Sequence, residues 1–381
     1  MNDGTVIGVI GAGAMGRGIA QIMATGGYRV VLVDTNEAAL ETARQAIAAT
    51  LDKAIARNLM TPEDKTAVLA RITPELTLES LASADLVIEA IVEQLEVKAG
   101  LFARLEAICR SDTLFCTNTS SLSVTKIAAG LLHKSRLVGM HFFNPPHIMK
   151  LVEVIETPET PEAVITRVMQ LARKIGKQPI RAKDRPGFVV NRCARPYYGE
   201  ALCILEEGNF TAAQIDTALH SAGYRLGPFE LIDLVGADIN YAATLSVWEA
   251  LERHPRYQPF DRLKQQVDAG KFGQKSGEGF TLPKASVTEL SPEAAASIVA
   301  RIEATLINEA HFVEAESTAS RADIDQALLL GLNFPRGPFA MATGDKRSAT
   351  IALLEKLHHS APDHLKERYT IAPNLTGSHH D

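Results

Sequence analysis

The first half of the chain alternates short apolar runs with longer stretches of helical periodicity. Two of the helical patterns span Ala38–Arg57 and Lys98–Cys109. Alternation of this kind predicts an α/β domain with a doubly wound parallel sheet, covered by helices on both faces. The apolar runs suited to buried strands are Val6–Ile10, Val30–Val33, Leu86–Ile88, Thr113–Thr117, Leu137–Met140 and Leu151–Ile155.

The pattern changes near Arg181–Asp184, after which strand-like runs become scarce and helical patterns dominate. Pro186 suits the first turn of a helix, and Gly208 suits the end of one. We therefore predict an α/β domain over residues 1–183, followed by an all-α domain over residues 184–282.

The helical part repeats itself at an offset of 109 or 110 residues, which indicates a duplicated unit with its second copy over residues 290–375. Asn191 corresponds to Ala300, so we expect the second copy to be degenerate. Gly273–Ala294 is predicted to be a linker and Ala372–Asp381 a loose tail. The matched clusters are Glu200-Ala201 with Glu309-Ala310, Ile215-Asp216 with Ile324-Asp325, and Gly227-Pro228-Phe229 with Gly337-Pro338-Phe339.

Composition narrows the functional classes. The 381 residues carry a net charge of −6, which argues against a dedicated nucleic-acid binder, since such proteins are usually basic. We expect no signal peptide and no membrane span, because neither pattern occurs in the sequence. The four cysteines form no CxxC pair and no metal-ligand spacing, so we expect no metal and a reduced, cytoplasmic setting.

The stretch "VIGVIGAGAMGRGIA" places Gly11, Gly13 and Gly16 directly after a predicted strand and at the start of a predicted helix. Such glycines permit a tight turn, close approach of the backbone to a pyrophosphate, and close helix–strand packing. The second strand ends at Asp34, where a carboxylate can bind an adenine ribose and repel a 2′-phosphate. The pattern predicts a Rossmann-type site for NAD, although a strand-end cap remains the alternative role of Asp34.

Polar residues that suit alcohol oxidation follow the later strands. Hydride transfer from an alcohol needs a base for the hydroxyl proton and donors that hold the oxygen as it becomes a carbonyl. His141 and the segment Asn118–Ser123 supply these groups, and strand carboxyl ends are where such sheets bind ligands. Glu153 lies inside the apolar run Leu151–Ile155, where a carboxylate is costly without a partner. We predict that Glu153 pairs with His141.

The chain resembles the NAD-dependent L-3-hydroxyacyl-CoA dehydrogenase family, and is 3-hydroxybutyryl-CoA dehydrogenase-like. The resemblance implies oxidation of an acyl-CoA thioester substrate by NAD, a step used in fatty-acid β-oxidation, butyrate metabolism and aromatic-ring degradation. The blocks that carry it, in the family's order, are "GAGAMGRGIA", "IEAIVEQLEVK", "TNTSSL", "HFFNPPHIMKLVEVI", "KDRPGFVVNR", "GPFELIDLVG" and "KFGQKSGEGF".

The resemblance also implies roles for individual residues. His141 matches the family's catalytic base and Glu153 its paired carboxylate, while Ser120 and Asn191 match residues that position the substrate oxygen. The positions that match the nicotinamide side of the dinucleotide pocket are Glu93, Lys98, Asn144 and Lys275. The residues implied to contact coenzyme A are Lys53, Arg57 and Ser120.

Each residue also has a structural interpretation, and the family assignment has rivals. The structural alternatives are a core position for His141, an ion pair of Glu153 with Lys150 or another base, a cap by Ser120 and its neighbours on the helix beginning near Val124, an inert polar position for Asn191, and a solvated surface of Lys53 and Arg57 with Glu41 and Asp52. One rival function is another β-hydroxyacid dehydrogenase of the same architecture, which would use a lysine base. The other is a non-catalytic, crystallin-like NAD-binding protein.

Two further expectations concern assembly and substrate. Single-copy members of the family pair their helical domains across a dimer, so a second copy within one chain favours a monomer with an internal pseudo-dimer, with a homo-oligomer as the alternative. His147, in "NPPHIM", departs from the family pattern close to His141 and is placed to affect acyl-chain preference.

Overall fold

The computed structural model describes residues 4–283 and 289–377. The chain divides into two compact units, Met1–Asp184 and Arg185–Asp381. The two predicted helical copies therefore lie together in one unit. Residues 284–288 of the predicted linker and residues 378–381 of the predicted tail fall outside the described residues.

The first unit is built on an eight-stranded sheet in the order β3-β2-β1-β4-β5-β6-β7-β8. Its strands are β1 Val6–Ile10, β2 Arg29–Val33, β3 Ile72–Glu75, β4 Leu86–Glu89, β5 Leu114–Thr117, β6 Leu137–Phe142, β7 Leu151–Glu156 and β8 Gln178–Lys183. Its helices are α1 Ala14–Thr25, α2 Glu37–Ala56, α3 Pro62–Ala70, α4 Leu95–Ile108, α5 Val124–Ile127 and α6 Glu162–Lys174. The predicted doubly wound α/β class is confirmed.

The sheet is not wholly parallel, which corrects the expectation. β6 and β7 pair antiparallel, whereas the other neighbouring strands pair parallel. The connection from Phe143 to Lys150 is too short to carry the crossover that a parallel pair requires. One consequence is that His141 of β6 lies directly opposite Glu153 of β7.

The sequence patterns did not reveal β3 and β8. Both are edge strands of the sheet, and both are partly exposed along their length. An edge strand needs no continuous apolar run, and it tolerates proline. β3 contains Pro74 and β8 contains Pro179, which weakened any strand signal in the sequence.

The second unit contains ten helices in the residues that the structure describes. They are α7 Val190–Glu206, α8 Ala212–Ser221, α9 Pro228–Val235, α10 Ala237–Ala250, α11 Asp261–Asp268, α12 Pro292–Ala315, α13 Arg321–Gly331, α14 Pro338–Met341, α15 Asp345–Ser360 and α16 Pro373–Thr376. The predicted loose tail was wrong up to Gly377, because α16 buries Leu375 and Arg347 donates a hydrogen bond to the Leu375 carbonyl at 2.9 Å.

The Gly-Pro-Phe sequences of the repeat begin two helices that are capped in the same way, each by an aspartate side chain. Asp216 accepts hydrogen bonds from the Phe229 and Glu230 amides at 3.0 and 2.9 Å, at the first turn of α9. Asp325 accepts equivalent bonds from the Phe339 and Ala340 amides at 2.8 and 3.2 Å, at the start of α14. The two carboxylates cap equivalent helices.

The two copies meet through reciprocal ion pairs between α7 and α12. Arg192 of the first copy contacts Glu309 and Glu316 of the second at 2.8 and 2.6 Å. The equivalent Arg301 of the second copy contacts Glu200 and Glu207 of the first at 2.5 and 2.7 Å. Such mutual contact between equivalent residues is the signature of an isologous, two-fold interface.

Candidate active site

The three glycines of the first turn differ in what surrounds them. Gly11 has a φ of +99°, and a Cβ on it would lie 2.5 Å from the Ala90 carbonyl oxygen. A Cβ on Gly16 would lie 1.7 Å from the Gly11 carbonyl oxygen, so helix α1 packs against the turn at a distance that only glycine allows. A Cβ on Gly13 would meet nothing within 4 Å. Gly13 thus leaves open space at the amino end of α1, where the amides and the helix dipole favour a phosphate.

Asp34 follows β2 and is fixed beside this turn. Its Oδ2 accepts a hydrogen bond from the Ala12 amide at 2.8 Å, and its Oδ1 accepts one from the Asn36 amide at 2.9 Å. Asp34 lines a cleft of about 1010 Å³ together with Gly11 and Gly13. Apolar side chains that line the same cleft are Ile91, Val97 and Leu101. A carboxylate, an open glycine turn and apolar walls fit the ribose, pyrophosphate and adenine of a dinucleotide.

His141 and Glu153 form a buried pair. The Nδ1 atom of His141 lies 2.7 Å from Oε2 of Glu153, and the two side chains are 8% and 0% exposed. An ionised carboxylate can only accept, so Nδ1 donates in this contact, and a neutral imidazole held in this way presents Nε2 as an acceptor. The ring of Phe143 packs at 4.5 Å from the imidazole. The pair therefore has the geometry of a base oriented by an acid.

Ser120 lies in a turn that Glu93 organises. Oε1 of Glu93 accepts hydrogen bonds from the Thr119 hydroxyl at 2.6 Å and from the amides of Ser120 and Ser121 at 2.9 and 3.2 Å. Asn118, at the start of this turn, accepts a hydrogen bond from the Phe142 amide at 2.9 Å. The turn after β5 is thus tied to the strand that carries His141.

The helix that begins at Val124 is capped by a neighbour of Ser120. Ser123 caps α5, its hydroxyl oxygen accepting from the Lys126 amide at 3.2 Å. Asp184 reinforces this end by accepting from the Ser123 hydroxyl at 2.7 Å and from the Thr125 amide at 2.8 Å. The capping alternative, which covered Ser120 and its neighbours, is thus confirmed for Ser123.

Lys98 is buried between two carboxylates beneath the site. Its Nζ lies 2.6 Å from Oε1 of Glu89 and 3.2 Å from Oε2 of Glu93. Burial raises the pKa of Glu89, an effect that Lys98 and Thr117 oppose. Burial also tends to raise the pKa of Glu93, but Lys98 and the hydrogen bonds from the Ser120 turn outweigh it and lower that pKa. Glu89 has no role predicted from the sequence, where it is simply an acid that ends an apolar run.

The loop after β6 holds two further residues of interest. Asn144 is exposed there, and so is His147. Partial desolvation at the loop lowers the pKa of His147, and the positive charges of Lys177 and Lys53 lower it further. Lys177 holds the loop by donating hydrogen bonds to the carbonyls of Pro146 and Met149.

Lys53 and Arg57 lie at the exposed carboxyl end of α2. The acids expected to accompany them in a solvated surface have other partners. Asp52 pairs with Lys65 at 2.5 Å, and Glu41 pairs with Arg44 at 2.8 Å. Lys53 and Arg57 are exposed, as the alternative of a solvated surface also expects.

Asn191 and Lys275 belong to the second unit. Asn191 is the second residue of α7. Lys275 forms an ion pair with Asp238 in the first turn of α10. No cluster of three or more His, Cys, Asp or Glu side chains suited to a metal ion occurs in residues 4–283 and 289–377. Over the same ranges, no helix combines the length and apolar character needed to cross a bilayer.

The open glycine turn, the acid after the second strand and the buried His–Glu pair fit an NAD-binding dehydrogenase. Family models make the class specific. The model for the 3-hydroxyacyl-CoA dehydrogenase NAD binding domain matches residues 6–185, and that for the C-terminal domain matches residues 187–282 and again residues 298–371. The chain belongs to the 3-hydroxyacyl-CoA dehydrogenase family, a family of NAD-dependent oxidoreductases, and its helical domain is duplicated.

Individual relatives agree with this assignment. The chain is 45% identical over 274 residues to 3-hydroxyadipyl-CoA dehydrogenase of Escherichia coli K12, covering 72% of this chain and 58% of that enzyme. It therefore spans little more than half the length of that relative. The crystal structure of 3-hydroxybutyryl-CoA dehydrogenase from E. coli K12 covers 98% of both chains with a TM-score of 0.91 and 33% identity. That of (S)-3-hydroxybutyryl-CoA dehydrogenase from Ralstonia eutropha has a TM-score of 0.71 and 35% identity, covering 74% of this chain and 99% of that one.

Proposed function

We propose that this chain oxidises an L-3-hydroxyacyl-CoA thioester to the 3-oxoacyl-CoA. The observation that carries the proposal is the buried contact of 2.7 Å between His141 and Glu153, on a strand tied to the Ser120 turn. This arrangement supplies a base, an acid that stabilises its charged form, and hydroxyl and amide donors on the neighbouring strand end.

The residues divide the proton and charge handling between them. Nε2 of His141 takes the proton of the C3 hydroxyl as the carbon–hydrogen bond at C3 breaks, and the C3–O bond becomes a carbonyl. Glu153 stabilises the resulting imidazolium through Nδ1. Ser120 and Asn191 hold the substrate oxygen. NAD⁺, when bound, supplies the acceptor for the hydride that leaves C3.

Other residues in the proposal bind rather than react. Gly13 lies against the pyrophosphate, and Asp34 binds the adenine ribose. The open space at Gly13 supports the first contact, and the fixed position of the Asp34 carboxylate supports the second. Lys53 and Arg57 contact the phosphates of coenzyme A, supported by their exposure and by the pairing of their acidic neighbours elsewhere. The further residues proposed to line the nicotinamide side of the dinucleotide pocket are Glu93, Lys98, Asn144 and Lys275.

The acyl group of the preferred thioester is to be identified by experiment. One relative is named for a dicarboxylic thioester and two for a four-carbon one. Oxidation of NADH should therefore be followed with a panel of 3-oxoacyl-CoA thioesters, including acetoacetyl-CoA and one with a terminal carboxylate. Oxidation of free hydroxy acids by NAD⁺, in place of thioester turnover, would favour the rival β-hydroxyacid dehydrogenase. Binding of NADH without any turnover would favour the non-catalytic protein.

The variant His141→Gln tests the mechanism. Without the base, turnover of the preferred thioester is expected to fall by a factor on the order of 100 or more, while NADH affinity stays nearly unchanged. His133→Gln, at an exposed histidine before β6, is the matched control and should retain normal turnover. Normal turnover in His141→Gln would refute the mechanism.

We further propose that the second helical copy occupies the place that a partner chain would take on α7. The reciprocal contacts of Arg192 and Arg301 support this, and so does the match of 99% of the Ralstonia enzyme to only 74% of this chain. Sedimentation velocity is expected to show no dimer built through α7. A dimer in which amides of α7 gain protection from hydrogen exchange as concentration rises would count against it.

A reduced, cytoplasmic location completes the proposal. All four cysteines are free thiols and are buried. A reducing compartment maintains such thiols. Burial also raises the pKa of Cys116 to about 12, so this thiol stays protonated and unreactive at neutral pH.

A further inference from the structure

Glu89 occupies a junction beneath the site. It is the last residue of β4, and it pairs with Ile10 of β1 on one side and with Thr117 of β5 on the other. The glycine turn follows Ile10, and the Ser120 turn follows Thr117. Glu89 is 0% exposed, so its carboxylate lies inside the sheet edge from which both turns emerge.

Every oxygen of this carboxylate has a partner. Oε1 accepts hydrogen bonds from Lys98 Nζ at 2.6 Å and from the Ile91 amide at 2.8 Å, and Oε2 accepts one from the Thr117 hydroxyl at 2.6 Å. Burying an acid and an amine together seldom stabilises a fold more than apolar residues of the same volume would. A role beyond stability is therefore the more economical reason for the buried pair.

The contacts continue from Glu89 to the Ser120 turn. Lys98 Nζ, held by Glu89, also reaches Oε2 of Glu93 at 3.2 Å. The other oxygen of Glu93 accepts hydrogen bonds from the Thr119 hydroxyl and the Ser120 amide at 2.6 and 2.9 Å. Glu89, Lys98 and Glu93 thus form one continuous network that reaches both the backbone amide and the hydroxyl of Ser120, the hydroxyl donating to Glu93 at 3.3 Å.

We propose that Glu89 is a positioning residue for hydride transfer. It touches neither substrate nor cofactor. It fixes the Lys98 ammonium, which orients Glu93, and Glu93 in turn holds the backbone of the Ser120 turn. This inference rests on the proposed role of Ser120 in holding the substrate oxygen. Removing the charge at Glu89 releases Lys98 toward Glu93 and displaces the turn.

The variant Glu89→Gln keeps the size of the side chain and removes its charge. Misplacing a positioning group by about 1 Å can cost up to about 100-fold in rate, so we expect kcat/KM for acetoacetyl-CoA with NADH to fall by about 10- to 100-fold. Asp85→Asn is the matched control at the opposite end of the same strand. Asp85 accepts a hydrogen bond from the Val6 amide at 2.8 Å and forms an ion pair with Arg110. Loss of the Asp85 charge should therefore lower the melting temperature and leave kcat/KM unchanged within about two-fold.

A double-mutant cycle with Lys98→Met separates positioning from general stability. If Glu89 acts through Lys98, the double variant loses no more kcat/KM than Lys98→Met alone. Losses that multiply would show that Glu89 acts independently and would overturn the inference, and so would kcat/KM for Glu89→Gln within about two-fold of wild type. Absence of thioester turnover in the wild-type chain would instead refute the proposed function.

A milder variant decides the matter if either charge variant fails to fold. Thr117→Val removes one hydrogen bond to Glu89 and keeps the volume and the β-branched shape of the side chain. We expect kcat/KM to fall by about three- to ten-fold with the chain still folded, as thermal unfolding would verify. Unchanged kcat/KM in folded Thr117→Val would overturn the inference.

Discussion

Among single residues, Gly13 can be substituted to test cofactor binding without disturbing the fold. Its φ of −66° is open to any residue, and a Cβ there meets nothing within 4 Å. Gly13→Val should therefore fold with an unchanged melting temperature. The new side chain would fill the space proposed for the pyrophosphate, so NADH affinity should fall by at least about 10-fold, or about 1.4 kcal/mol. Fluorescence titration with NADH measures the change.

Two other glycines serve as controls for this variant. Gly130 also has nothing within 4 Å of a Cβ and lies away from the cleft, so Gly130→Ala should leave NADH affinity unchanged. Gly16→Ala would place its Cβ 1.7 Å from the Gly11 carbonyl oxygen and should destabilise the fold itself. Undiminished NADH affinity in Gly13→Val would contradict the placement of the pyrophosphate.

The contacts of a single residue could be predicted from the sequence only where the surrounding segment itself indicated them. The pairing of His141 with Glu153 was predictable, because a carboxylate inside an apolar strand requires a partner, and the observed contact of 2.7 Å supplies one. The network of Glu89 was not predictable. Glu89 ends an apolar run as many surface acids do, and its partners Lys98 and Thr117 become neighbours only when β4, α4 and β5 pack together.

At the scale of elements, burial decided which strands the sequence revealed. The six predicted strands occupy central positions of the sheet or lie next to an edge strand, and their apolar runs follow from burial on both faces. β3 and β8 form the two edges, where polar residues and proline are tolerated, so no apolar run marked them. The antiparallel turn from β6 to β7 was readable only from the shortness of the Phe143–Lys150 connection.

The duplicated helices were predictable because a steric constraint preserves their signature. A Cβ on Gly227 would lie 2.2 Å from the Asp216 side chain, and a Cβ on Gly337 would lie 2.2 Å from that of Asp325. Each aspartate caps the helix that starts at the following Pro-Phe pair. The glycine, the aspartate and their spacing are thus linked by one contact, which explains why these positions remained alike while Asn191 and Ala300 diverged.

In the whole chain, each helical copy contains a buried glutamate whose charge is neutralised by arginines of the other copy. Glu200 is 0% exposed, and its neighbours Arg301, Arg368 and Tyr369 all come from the second copy. Burial alone would raise the pKa of Glu200, but Arg368 and Arg301 lower it. Glu309, equally buried, contacts Arg192 and Tyr257 of the first copy.

A chain that ends at residue 283 tests this dependence. Removing the partners of one buried charge typically costs about 3–5 kcal/mol, so truncation should destabilise α7 in a monomer. The first copy contains both Arg192 and Glu200, and Glu200 is the equivalent of Glu309 in the second copy. Arg192 of one truncated chain can therefore pair with Glu200 of another, as it pairs with Glu309 in the full chain. We therefore expect residues 1–283 to sediment as a dimer, and Glu200→Arg in that truncated chain to abolish the dimer by placing like charges opposite each other. A truncated chain that is monomeric and melts at the temperature of the full chain would show that the second copy does not replace a partner.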